Sequence, residues 1–279
     1  TALLTLPMIA NADVLASVKP LGFITSSIAN GVTDTQILVP AGASPHDYSL
    51  KLSDVQKVKS ADLVVWVGED IDAFLAKPIS QIDRKKVINI SEIPEIKPLL
   101  SKVHHEHYHE GDEDEHGHDH KHGHDHKHEH GHDHEHHHHD VDENGLSVNW
   151  HLWYSPAISQ IVAQKVADKL TEQHPDKKEL IAKNLADFNR TLTEQSDKIK
   201  AQLAPLKDKG FFVFHDAYSY FNDAYGLNQT GYFPINPLVA PGAKTIAHIK
   251  EEIEEHHVNC LFAEPQFTPK VIDSLAQST

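Results

Sequence analysis

The sequence predicts an α/β fold of two lobes, each a parallel sheet flanked by helices, joined by one long helix. Three observations carry this reading. Short apolar runs alternate with amphipathic segments from Asp13 to Ile90, the pattern of strands linked by helical crossovers. The same alternation restarts at Phe211 and continues to Ala263. Between the two blocks lies a helical pattern of unusual length, over residues 177–204.

In the first block, residues 14–18 read as a strand. A helix is predicted over 20–30, with Pro20 early and Gly31 just past its end. Residues 36–39 are strand-like, and Leu52, Val55 and Val58 lie at helical spacing. Leu63-Val64-Val65-Trp66-Val67 is a continuous apolar run, as expected of a strand buried on both faces. A short helix over 71–76 and a strand over 86–90 complete the block. The helix over 156–173 puts Ile158, Ile161, Val162, Val166 and Leu170 on one face and stops at His174-Pro175. The long pattern places Ile181, Leu185, Phe188, Leu192, Ile199 and Leu203 at steps of three, four and seven. As a helix it would span about 42 Å, enough to bridge two lobes. In the second block, strands are predicted over 211–214, 227–233 and 260–263. Helices are predicted over 217–225, ending at Gly226, and over 245–257, with Ile246, Ile249 and Ile253 inward. The expected organisation is a leader remnant over 1–12, a first lobe over 13–174, a linking helix over 175–206 and a second, incomplete lobe over 207–279.

Charge is concentrated in one place. The formal net charge is -16, but residues 104–143 hold 14 acids, two lysines and 18 of the 25 histidines. Nothing supplies the basic face that phosphate binding needs, which excludes a nucleic-acid partner. The insert over 104–144 is too polar to bury a core and is expected to be a mobile loop. Apolar residues at regular spacing on both sides of it exclude disorder throughout.

The first residues combine a short apolar run with Ala10-Asn11-Ala12, the tail of a secretory signal with its small-residue cleavage site. The run is too short to span a bilayer; the other reading is an N-terminal core segment. On the signal reading the mature protein begins at Asp13 and works outside the cytoplasm. Cys260 is the single cysteine. In an oxidising compartment it implies a missing partner, an intermolecular bridge or a free thiol. The last residues, 275–279, carry no terminating signal, so the chain is expected to be cut short at both ends, with a partner cysteine beyond Thr279.

Seven histidines lie outside the insert. His248, His256 and His257 fall on or at the end of a polar helix face, and His174 in an interhelical turn; these read as solvated surface. His46 follows the strand over 36–39, His215 directly follows the strand over 211–214, and His151 lies between the insert and a helix. Ligands of open α/β sheets bind outside the carboxyl ends of strands. Two of the three histidines sit at such ends, one from each lobe, which suits a metal held between the lobes. Three neutral imidazoles favour zinc; copper and nickel bind similar nitrogen sites, whereas manganese prefers oxygen. In the insert, His116, His118 and His120, and His136 and His138, stand at alternating positions. They are expected to bind zinc more weakly, because a flexible chain must be ordered first.

Four segments together resemble one family. They are Pro45-His46-Asp47-Tyr48-Ser49-Leu50, His151-Leu152-Trp153-Tyr154-Ser155-Pro156, Phe214-His215-Asp216-Ala217-Tyr218 and Phe262-Ala263-Glu264-Pro265-Gln266-Phe267. They are similar to the periplasmic zinc-binding proteins of bacterial zinc-uptake ABC transporters, the ZnuA type. The resemblance runs from Asp13 to the end of the chain and includes the His-rich insert. It implies two lobes tied by a rigid helix with one metal between them, and it maps the metal ligands onto His46, His151 and His215. His215 stands where manganese-binding relatives carry a carboxylate. Two departures bear on the fourth ligand. Some zinc relatives have Glu where Pro45 stands, and the family has an Asp in its C-terminal portion that this chain lacks. Water or that Asp is the implied fourth ligand, and Glu264 reads as a supporting residue of the second lobe. The resemblance also implies a disulfide partner for Cys260.

The expected function is zinc capture in the periplasm and delivery to an ABC permease driven by its ATPase, by a monomer and without catalysis. Affinity should fall as pH drops toward the histidine range. The rival readings are a manganese or iron carrier of the same fold, a periplasmic zinc buffer acting through the insert, and a secreted zinc hydrolase. Three histidines with an open position also describe catalytic zinc, but no HExxH-type motif lies on a predicted helix.

Overall fold

The computed structural model describes residues 13–104, 146–233, 235–236, 239–277 and 279. The leader reading over 1–12 and nearly all of the predicted insert lie outside the described residues.

The first sheet is parallel. Its strands are β1 (Val14–Ala16), β2 (Thr35–Ile37), β3 (Leu63–Trp66) and β4 (Val87–Asn89), in the order β2-β1-β3-β4. Helix α1 (Lys19–Ala29) joins β1 to β2, and α2 (Leu52–Ser60) precedes β3. Both faces of the central strands are covered, so alternate residues enter different cores. Val14, Ala16, Leu63 and Val65 pack with Leu21, Ile28 and Val166. Leu15, Val64 and Trp66 pack with Val58 and Leu75 on the opposite face.

The single short helix predicted over 71–76 is in fact three pieces: α3 (Glu69–Asp72), a 3-10 turn (Ala73–Leu75) and α4 (Ala76–Ile79). Asp72 causes the break. Its backbone leaves the helical region (φ -119°, ψ 49°). Its buried carboxylate turns back to accept the amides of Val67 at 3.1 Å and Gly68 at 2.8 Å.

The insert boundary also needs correction. His104 is not in a loop but ends β5 (Lys102–His104), which pairs antiparallel with β6 (Leu146–Val148), His104 opposite Leu146. Backbone pairing at the base of the insert overrides its polar composition. Two long helices follow, α5 (Pro156–Gln173) and α6 (Lys178–Leu203). At 26 residues, α6 is about 39 Å long. It packs on α1 and α5 through Ile181, Leu185 and Phe188. Asn184 donates to the carbonyls of Ile28 and Asn30 at 2.9 and 2.8 Å, satisfying acceptors that the end of α1 leaves open. Farther along, Ser196 accepts the Tyr225 hydroxyl at 3.4 Å, so α6 touches both halves of the molecule.

The second sheet is also parallel: β7 (Gly210–Val213), β8 (Asn228–Tyr232) and β9 (Cys260–Phe262), in the order β8-β7-β9. Helix α7 (Ser219–Tyr225) ends where predicted, at Gly226 with φ +67°, a left-handed C-cap that glycine adopts without strain. Helix α8 (Ala243–Glu255) supplies Ile249 and Ile253 to a core with Phe212, Phe214, Phe233 and Leu275. Leu275 belongs to α9 (Pro269–Ala276), a helix that the sequence reading did not assign. Its start has Pro269 in the first turn, a signal that was available. Cys260 is exposed on β9 and unbridged. Among the described residues, no helix is long and apolar enough to cross a membrane.

Candidate metal centre

His46, His151 and His215 come together where the carboxyl ends of the two parallel sheets meet. Each is placed by local chemistry. After β2 the chain turns at Gly42, with φ +85°, and enters a 3-10 turn over Pro45–Asp47. Ser44 Oγ accepts the His46 amide at 3.3 Å and starts that turn. Tyr48 anchors its far side: the hydroxyl donates to Asp54 at 3.0 Å, and the ring packs edge-on against Phe74. Asp54 also accepts the Lys51 amide at 2.9 Å at the start of α2. His215 follows β7 after the fully buried Phe214.

His151 is held by Asn149, which is completely buried. The amide Nδ2 of Asn149 donates to the Ala217 carbonyl at 3.1 Å and to Ser219 Oγ at 2.7 Å. This fixes which way the amide faces, because a carbonyl can only accept. Its Oδ1 therefore accepts the His151 amide at 3.0 Å and the ring Nδ1–H at 2.9 Å. With the proton on Nδ1, the neutral ring offers a lone pair at Nε2. His215 has the same polarity. Its Nδ1 lies 2.8 Å from Glu264 Oε1, so Nδ1 carries the proton and Nε2 is the nitrogen available to a metal.

The rings are tightly grouped. Centroid separations are 5.4 Å for His46–His151, 5.6 Å for His46–His215 and 4.6 Å for His151–His215. One ligand nitrogen from each lies within 4.8 Å of the others. The Nε2 atoms of His46 and His151 are 3.3 Å apart. Two nitrogens bound to a tetrahedral zinc at about 2.0–2.1 Å lie about 3.3–3.4 Å from each other, so this pair already has the required separation. His46 is exposed, His215 half-buried and His151 buried, giving the cluster one open side.

Electrostatics keeps the cluster ready for a cation. Burial, then the charges that His215 and His46 would carry, push the His151 ring well below the ordinary histidine range. Its lone pair is free at neutral pH. Burial alone would raise the Glu264 carboxyl, but donation from His215, Tyr218 and Gln266 outweighs burial and holds it below the ordinary glutamate range. Burial and the neighbouring Glu264 charge push the Tyr218 hydroxyl up, so it stays a donor.

A pH dependence of stability follows from His151. Its folded value is lowered, so below about pH 6.5 the unfolded chain takes up a proton that the folded protein refuses. Stability from this residue is complete above about pH 6.5 and is lost as pH falls toward the lowered folded value, at up to about 1.4 kcal/mol per pH unit. Urea unfolding of the metal-free protein should show this decline, and a His151→Asn variant should show a shallower one. Equal slopes in the two proteins would count against a buried neutral His151.

The structure thus brings the three predicted core histidines together. His248, His256 and His257 are exposed, as expected of surface residues. His256 also lies close to Glu252 and Glu255 on α8, and it pairs with Glu252 at 3.3 Å. The predicted weaker ligands His116, His118, His120, His136 and His138 lie outside the described residues. Sequence reasoning missed Asn149. An Asn two residues before a histidine is the signature of a side chain bonding its own backbone two positions on, and that signal was present.

Comparison with known proteins identifies the family. A family model described as ZnuA, zinc-uptake complex component A, periplasmic, matches residues 14–279. The high-affinity zinc uptake system protein ZnuA of Haemophilus influenzae is 79% identical over 287 aligned residues, covering 100% of this chain and 85% of that protein. The protein of the same name from Haemophilus ducreyi is 55% identical over 278 residues, with the same coverage. Among solved structures, zinc-bound AdcA from Streptococcus pneumoniae superposes with a TM-score of 0.69 at 20% identity, over 96% of this chain and 49% of that one. At that identity the likeness speaks for the fold alone, and the chain spans about half of AdcA. The family match over nearly the whole chain, with two relatives more than half identical, shows that this chain belongs to the ZnuA family of periplasmic zinc-uptake components.

Proposed function

We propose that this protein captures zinc with high affinity in the periplasm and delivers it to the permease of an ABC transporter, which its ATPase drives. Zinc is the cargo, and no chemical step is performed on it. The observation that carries the reading is the convergence of His46, His151 and His215, with two Nε2 atoms at the spacing that tetrahedral zinc requires. The first and second sheets, with the long α6, act as two lobes around that ion. One open side at His46 gives zinc a way in and out. The relatives named as zinc uptake proteins support this choice of metal, and the all-nitrogen donor set disfavours manganese. The His-rich insert is assigned an accessory role, binding further zinc more weakly.

Uptake measurements test the proposal. Cells deleted for their own copy should recover radioactive zinc uptake at low external zinc when supplied with this protein complete with its secretion signal. They should not recover it with a His215→Ala version secreted to the same level. Equal recovery by the variant would refute transport through the three-histidine site. Recovery of manganese rather than zinc uptake would move the protein to a different cargo.

A further inference from the structure

Behind the three imidazoles, the supports of two differ in charge. His151 leans on Asn149, a neutral amide. His215 leans on Glu264, a carboxylate 2.8 Å from its Nδ1. Glu264 is itself clamped. The Tyr218 hydroxyl donates to Oε1, and the Gln266 side-chain amide donates to Oε2. Tyr218 is buried and stacked edge-on against Phe262 at 4.9 Å. Two donors from different positions thus hold one carboxylate against one ring, and its side chain is only 19% exposed. A structural hydrogen bond to His215 could be made by any acceptor. Asn149 shows that a neutral one serves at the neighbouring ring.

We propose that Glu264 is a positioning and selectivity residue for the metal: it orients the His215 ring and adds a fixed negative charge behind it, so that the site favours a doubly charged over a singly charged cation. The inference rests on the three-histidine reading above. Its physical basis is that a fixed carboxylate attracts a cation in proportion to the cation's charge. At one site and one distance, the free energy gained by zinc(II) is twice that gained by copper(I). Copper(I) is the informative competitor, because it also accepts imidazole nitrogen.

The test compares zinc(II) with copper(I), the latter under anaerobic reducing conditions, on the intact chain. Each metal is titrated against a competing chelator. Occupancy is read from tryptophan fluorescence, since the Trp153 ring lies 5.4 Å from His151. Glu264→Gln keeps the shape and an acceptor oxygen but removes the charge. Loss of an outer partner of a metal-bound histidine typically weakens binding about 10–100-fold. Zinc affinity should fall by about that factor, and copper(I) affinity by its square root, about 3–10-fold. Glu264→Asp keeps the charge but shortens the reach; both affinities should fall while the zinc-to-copper(I) ratio stays near that of the wild type.

Equal losses for both metals in Glu264→Gln, or no loss for either, would overturn the proposal and leave Glu264 a structural acceptor. If Glu264→Gln does not fold, the ratio in Glu264→Asp decides: a ratio collapsed toward equal binding overturns the charge argument, and a preserved ratio supports it. His215→Ala is measured alongside. If it retains wild-type zinc affinity, the three-histidine reading itself fails. If it loses zinc while Glu264→Gln does not, only the present inference fails.

Discussion

A His215→Ala variant should lose tight zinc binding, with affinity lower by more than about 100-fold. Outer partners of metal-bound histidines account for about 10–100-fold each, and a ligand that donates directly to the ion must exceed them. The substitution is also well suited to isolate the effect. His215 is half-buried and belongs to none of the four apolar core clusters, so truncating it removes a donor without opening the core. The remaining His46–His151 pair keeps its 3.3 Å spacing but offers two ligands where zinc requires three or four. Competitive titration read by tryptophan fluorescence measures the loss. An unchanged affinity would mean that the tight zinc is held elsewhere, and the His-rich insert would become the first place to look.

Replacing Asn149 with leucine should have the largest effect on the fold. Leucine is similar in size but apolar, so the change removes hydrogen bonds rather than volume. Four polar groups lose a partner: the His151 amide, the His151 ring Nδ1–H, the Ala217 carbonyl and Ser219 Oγ. Leaving a buried polar group unsatisfied costs about 1–3 kcal/mol. Ser219 Oγ keeps its existing hydrogen bond to Ser101 Oγ, which reduces the total, and a loss of about 3–5 kcal/mol is expected. Urea unfolding of the metal-free protein measures it. The same variant frees the His151 ring to rotate, so zinc affinity should fall by about 10–100-fold. Stability lost without any change in zinc affinity would show that Asn149 braces the fold but does not orient the ligand.

Asn149 also explains why the seam between the two sheets reads poorly from sequence. Its backbone carbonyl accepts the Tyr220 hydroxyl at 2.6 Å. That hydroxyl in turn accepts the Ser101 amide at 3.1 Å. Next to it, His104 meets Asp216 through both its amide and its ring, and its ring stacks on Tyr232. These partners are 71, 119 and 112 residues apart in the chain. No local pattern marks them, and β5 and β6, three residues each, carry too little alternation to register as strands.

What the sequence by itself determined is everything set by short-range periodicity and backbone preference. The continuous run at 63–67 announced a doubly buried strand. The three- and four-residue steps announced α5 and α6. Gly226 marked the end of α7, and the positions of His46 and His215 after strands marked the candidate ligands. What only the tertiary structure decided is which nitrogen of the His151 and His215 rings is left open to a metal, and with what charge behind it. Those properties come from Asn149, whose amide is turned by Ala217 and Ser219, 68 and 70 residues away, and from Glu264, which reaches the His215 ring across the second sheet. His46 and His151 are 105 residues apart in the chain, and His215 and Glu264 are 49 apart. A hydrogen bond acts over about 3 Å in space and leaves no trace in sequence spacing, whereas the hydrophobic repeat that builds each sheet is written along the chain.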